Sequence, residues 1–137
     1  MFTISEYVGV HWNSPDWNDE RQSNAAFLIA SCRDLYDIMT KDGVIFQINP
    51  KTNTIISGEV YGGFRPHECP IGAFDSSHKS AQAVDFFDPS GMIDEYLFSR
   101  QEKLIECGLY IEHPSSTPGW SHCTTRPPKS GHRVFFP

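Results

Sequence analysis

The sequence contains no run of about 18 apolar residues, so no segment of its 137 residues reads as a transmembrane helix. Its opening stretch, Met1 to Glu20, has neither a basic segment nor an apolar core, so it does not read as a secretory leader, and a cytoplasmic location is expected. Basic residues are scarce and dispersed: 11 Lys and Arg stand against 17 Asp and Glu, a formal net charge of −6. A chain of that charge without a cationic cluster is not expected to bind nucleic acid or a membrane. None of the four cysteines, Cys32, Cys69, Cys107 and Cys123, shows C-x-x-C spacing, which removes a zinc ribbon or knuckle. Without a leader they are expected as free thiols rather than as two disulfides. Internal repeats and low-complexity tracts are also missing.

What is there suffices for one domain spanning 1–137. Hydrophobic residues make up 39% of the chain and aromatics 13%, enough to build a single core at this length. Residues 1–17 are aromatic-rich but aperiodic and are expected as an irregular arm packing Trp12 and Trp17. Asn18-Asp19-Glu20 supplies cap and first-turn chemistry for a helix over 21–41, whose apolar residues recur at spacings of 3, 4 and 7. Lys41-Asp42-Gly43 ends it. Strands are expected at 44–48, 54–57 and 60–65, followed by a long polar loop over 66–82. A strand at 83–87, a helix at 92–107, a strand at 109–112, a loop at 113–119 and a strand at 120–124 complete the pattern. The tail, 126–137, is expected to lie extended against the domain. The class is α+β.

Three residues stand out chemically: His78 in the long loop, Asp85 on the strand after it, and His122 on the last strand. Imidazole and carboxylate are the donors of zinc sites that leave a fourth position open. Six residues separate His78 from Asp85, short enough for both to reach one metal, while His122 must come from elsewhere in the fold. On spacing alone each residue also fits an ordinary reading, a hydrogen-bonded histidine or an exposed strand aspartate.

The flanking residues add a resemblance. Ser76-Ser77-His78-Lys79-Ser80-Ala81-Gln82-Ala83-Val84-Asp85 resembles the S-x-H-x-x-G-x-A-x-D signature of the D-Ala-D-Ala carboxypeptidase and L-alanyl-D-glutamate endopeptidase family of zinc peptidases. That family includes phage endolysins and shares its fold with the hedgehog signalling domain. Ser76, His78, Ala83 and Asp85 match, and Ala81 stands where glycine is usual. Upstream, Gly63-Phe64-Arg65 resembles the G-Y-R element of the family, and Gly119-Trp120-Ser121-His122 sits where the last ligand is supplied. The similarity runs over about residues 44–126.

The resemblance implies zinc (Zn2+) held by His78, Asp85 and His122, with an open position for a water whose pKa falls to ~7. It implies Arg65 facing the substrate to stabilise an oxyanion or bind a carboxylate, Ser76 hydrogen-bonding near the zinc, and Arg126 positioning substrate or anchoring the tail. One departure is plain. The family places its general base two or three residues before the last histidine, where this chain has Trp120 and Gly119. The nearest replacements are Glu112 and His113, which strand alternation sends to opposite faces. Glu112 is the favoured base, leaving His113 to contact substrate or bond the loop backbone. Trp120 reads as core packing, and a second metal site from His67 and Cys69 with His132 or Cys123 has no spacing to support it.

The expected architecture is a small antiparallel sheet carrying the zinc site, with two helices packed behind it. The expected function is a zinc metallopeptidase, monomeric and phage-like, cleaving at a D-residue in a peptidoglycan stem peptide. If phage-encoded, it would stay in the host cytoplasm unless a holin or the virion delivers it. A zinc-containing binding domain that has lost catalysis, and a zinc hydrolase for another small amide, are the alternatives.

Overall fold

A computed structural model describes residues 2–137, so Met1 of the expected N-terminal arm lies outside the described residues. The first part of the arm, residues 4–11, is helical rather than irregular. Thr3-Ile4-Ser5-Glu6 is a capping box: Glu6 N–H donates to Thr3 Oγ1 at 3.1 Å and Thr3 N–H to Glu6 Oε1 at 2.9 Å. It starts helix α1, Ile4–Val8, which runs on into a 3-10 turn at Gly9–His11. The long helix α2 covers Asp19–Lys41, capped by Asn18 Oδ1 accepting from Arg21 N–H. Its buried stripe of Ala25, Leu28, Ile29, Cys32, Leu35 and Met39 follows the helical spacing, and each large member contributes about 1.5–3 kcal/mol of burial.

Between Lys41 and Ala83 the three expected strands do not form ladders. Only isolated bridges occur, Asn49 with Thr54 and Ile56 with Phe86. Side chains have taken over the backbone's polar groups there. Asn49 Nδ2 donates to the carbonyls of Ile56 and Gly58, and Thr54 Oγ1 accepts from Ile56 N–H, the local competition that keeps such residues out of regular sheet. The segment is still anchored, because Val44, Phe46, Ile55, Ile56 and Phe64 are buried in the core.

Strand β1, Ala83–Asp88, is followed by helices α3, Met92–Ser99, and α4, Gln101–Cys107. The single helix expected over 92–107 is broken at Arg100. Ser99 Oγ donates to the Tyr96 carbonyl, the acceptor a continuous helix would offer to Arg100 N–H, and Arg100 N–H turns to Leu97 O instead. Strands β2, Tyr110–Glu112, β3, Gly119–Thr124, and β4, Val134–Phe135, complete a four-stranded sheet in the order β1-β3-β2-β4.

The sheet is mixed, not purely antiparallel. β3 runs antiparallel to both β1 and β2, but β4 joins β2 in parallel. The tail is responsible: Ile111 N–H donates to Arg133 O and His113 N–H to Phe135 O, so residues expected merely to lie against the domain add an edge strand. Val84, Phe86, Ile111 and Cys123 enter one core with Leu28, Leu35, Leu97 and Leu104 from the helices. All four cysteines are free and buried. Among the described residues no helix is long and apolar enough to cross a membrane.

Candidate metal centre

Strand register builds the site. Asp85 sits opposite His122 across β1 and β3, so both side chains leave the same face of the sheet. Val84 and Cys123, one place along, point into the core. In β2, Tyr110 pairs with Thr124 and Ile111 with Cys123, and one more step sets Glu112 beside His122. Glu112 Oε1 lies 3.7 Å from His122 Nε2.

His78 arrives from a compact turn. Lys79 N–H bonds Ser76 O, Ala81 N–H bonds His78 O, and Gln82 N–H bonds Ser77 O. Closing that turn puts Ala81 at φ +59°, the left-handed region, at the position where the resembled signature carries glycine. Ser76 Oγ accepts from His78 N–H at 3.2 Å, so Ser76 shapes the turn as well as lining the cavity.

A pair of glycine carbonyls holds the His78 ring and the Asp85 backbone. His78 Nδ1 donates to Gly63 O at 2.8 Å, and Asp85 N–H donates to Gly62 O at 2.8 Å. Neither glycine has room for a side chain: a Cβ on Gly63 would lie 2.0 Å from Tyr7 O, and one on Gly62 would lie 2.1 Å from Ser57 O. Tyr7 of α1 closes the arrangement from behind, its hydroxyl donating to Ala83 O and its carbonyl accepting from Phe64 N–H.

With Nδ1 committed to a carbonyl, His78 presents Nε2 to Asp85 Oδ1 at 3.2 Å, while His122 Nδ1 meets the same oxygen at 2.9 Å. The three donor atoms lie within 4.8 Å of one another, and all three residues are buried. This group could hold a metal ion. Burial lowers the pKa of His78, and the Asp85 charge opposes that only in part. For Asp85 burial pushes upward, but the imidazoles of His78 and His122 outweigh it and hold the carboxyl below the usual range. Burial would lower His122 as well, yet its bond to Asp85 and the nearby carboxylates raise it. Glu112 is raised, chiefly by burial and further by the Asp85 charge, against the pull of His122.

No protein-family model, curated protein or solved structure matches the chain.

The centre forms the floor of a cavity of about 620 Å³, walled by Glu112, Trp120, Arg126 and Phe135 among others. Arg65 borders the cavity but is nearly enclosed, with its guanidinium on Asp85, Tyr61 O and Ile71 O. His113 lies outside the cavity lining: its Nδ1 accepts from Ser115 N–H and its ring stacks on Phe136. Trp120 is half-buried against the cavity rather than in the core. His67 and Cys69 join no ligand cluster among the described residues. Sequence reasoning missed the contributions of Lys129 and Phe135, which the tail carries to the cavity wall. The apolar run Val134-Phe135-Phe136 was the available sign of a strand there.

Proposed function

We propose that the chain is a zinc-dependent peptidase that hydrolyses an amide at a D-residue of a peptidoglycan stem peptide, of the D,D-carboxypeptidase or L-Ala-D-Glu endopeptidase type. The observation that carries the metal part is the convergence of His78 Nε2, Asp85 Oδ1 and His122 Nδ1 on a cavity floor. The substrate class rests on the resemblance of residues 76–85 and 63–65. Two imidazole nitrogens and one carboxylate oxygen are a donor set that catalytic zinc accepts. The bond from His78 Nδ1 to a backbone carbonyl is the kind of outer contact that fixes a ligand's tautomer and orientation.

Zinc bound there supplies a Lewis acid that activates water and polarises an amide carbonyl. Glu112 does the proton work. Half-buried beside His122 and raised by burial, its carboxylate takes a proton from the attacking water and returns it to the leaving amine. The C–N bond breaks as a C–O bond forms, and the proton ends on nitrogen. Arg126 and Lys129 on the tail wall make no ion pair among the described residues and offer positive charge to a substrate carboxylate.

Elemental analysis of the purified protein, paired with a muropeptide digest read by mass spectrometry, tests both parts. One zinc per chain and a stem peptide shortened at a D-residue is the expected result. Zinc without cleavage would favour a zinc-containing binding domain, a reading motivated by Trp120 and Gly119, which leave no proton acceptor next to the last ligand in sequence. Cleavage of another amide would redirect the substrate and leave the centre standing. A chain without metal would overturn the proposal.

A further inference from the structure

Arg65 ties together two of the three ligand residues. Its backbone N–H donates to His78 O at 3.2 Å, and its guanidinium Nη2 meets Asp85 Oδ2 at 3.2 Å. Nε donates to Tyr61 O at 2.8 Å and Nη1 reaches Ile71 O at 3.5 Å, so every guanidinium nitrogen already has a protein acceptor. The loop seals the group from outside: a Cβ on Gly72 would lie 2.6 Å from Nη1. At 8% exposure, this arginine is built into the wall rather than extended from it.

The consequence falls on Asp85. With Oδ2 held by Arg65, the carboxylate turns Oδ1 alone towards both imidazole nitrogens. We infer that Arg65 is a positioning residue: it acts through Asp85, making that carboxylate a one-oxygen ligand in a fixed orientation, and does not itself touch the substrate. This departs from the role implied by the family resemblance, in which the arginine faces the substrate, and it rests on the metal reading above. A guanidinium suits the task because its rigid planar fork directs separate N–H groups at a carboxylate and two carbonyls in fixed directions, whereas an ammonium is a compact point charge on a flexible stem.

The test measures metal rather than turnover. Metal-free wild type, Arg65→Ala and Arg65→Lys are titrated with zinc against a chromophoric chelator, and with cobalt(II) by visible absorption. Loss of an outer-shell partner of this kind weakens metal binding about 10–100-fold, the result expected for Arg65→Ala. Cobalt absorption should fall in the same variant, because a released Asp85 can offer both oxygens and a higher-coordinate cobalt absorbs more weakly. Arg65→Lys keeps the charge and most of the bulk, and carries the test if the alanine variant does not fold. It should still bind zinc several-fold more weakly than wild type. Zinc affinities within about twofold of wild type, with an unchanged cobalt spectrum, would overturn the inference. Collapsed turnover on top of that result would put the guanidinium on the substrate. Wild type that binds no zinc would overturn the metal reading and this inference with it.

Discussion

Two histidines reach the same aspartate oxygen through different ring nitrogens, and the reason lies in what each ring does with its other side. His78 spends Nδ1 on Gly63 O and offers Nε2, whereas His122 offers Nδ1 and turns Nε2 towards Glu112. Each residue of the group is therefore hard to replace. His78→Ala should drop the metal content from one per chain to near none, read by elemental analysis, and undiminished metal would sink the triad. Glu112→Gln keeps the shape and removes the proton acceptor, so turnover should fall about 10²–10⁴-fold with zinc retained. A Gln variant that digests muropeptides at full rate would remove Glu112 as the base. The candidate donor types were legible in the sequence because His78 and Asp85 share one short motif. That Glu112 lies against His122 was not, since it depends on β2 pairing with β3 in one register rather than a neighbouring one.

The element that shapes the centre from behind is α1 with the Gly62-Gly63 segment. The first helix presents Tyr7 O to Phe64 N–H, and two glycines thread through a gap that excludes any Cβ. Gly63→Ala drives a methyl to 2.0 Å from Tyr7 O, which the helix must yield to accommodate. Overpacking of this kind costs about 1–3 kcal/mol. The expected outcome is a lower midpoint in urea together with weaker metal binding, because the same residue's carbonyl orients His78. Unchanged stability and metal affinity would show that the backbone relaxes freely there. The helix itself was announced by Thr3-Ile4-Ser5-Glu6, a capping pattern hidden in a stretch that looks aperiodic. The strands expected over 44–65 fail for the opposite reason. Their alternation runs only from Val44 to Phe46, with Ile45 exposed between them, and breaks at the exposed Ile48. Beyond it Asn49 and the threonines take up backbone groups, and residues 55–57 bond β1 around the single Ile56–Phe86 bridge.

For the whole molecule, the His78-Asp85-His122 group joins the 76–81 turn, β1 and β3, so a metal bound there would tie together parts that are distant in sequence. At a free zinc concentration 100 times its dissociation constant, binding adds about 2.7 kcal/mol, roughly 10 °C in the thermal midpoint. Chelation should remove that increment, and an identical midpoint with and without chelator would mean that the centre holds no metal in the folded chain. Acid works in the same direction. Both imidazoles must be neutral to ligate, so the increment is present at neutral pH and is lost as pH falls through the histidine range. Thermal scans with and without zinc at several pH values should therefore converge on acidification. The sequence by itself determined the helix that supplies the main core stripe, the β1 strand, the donor residues and their order, because these are written in local periodicity and short spacing. Only the tertiary structure decided that Arg65 spends its charge on Asp85, that the tail adds a parallel strand and a cavity wall, and that Glu112 lies beside His122. Each of those depends on which distant backbones come into register, and strand register is set by packing across the whole sheet rather than by any one segment.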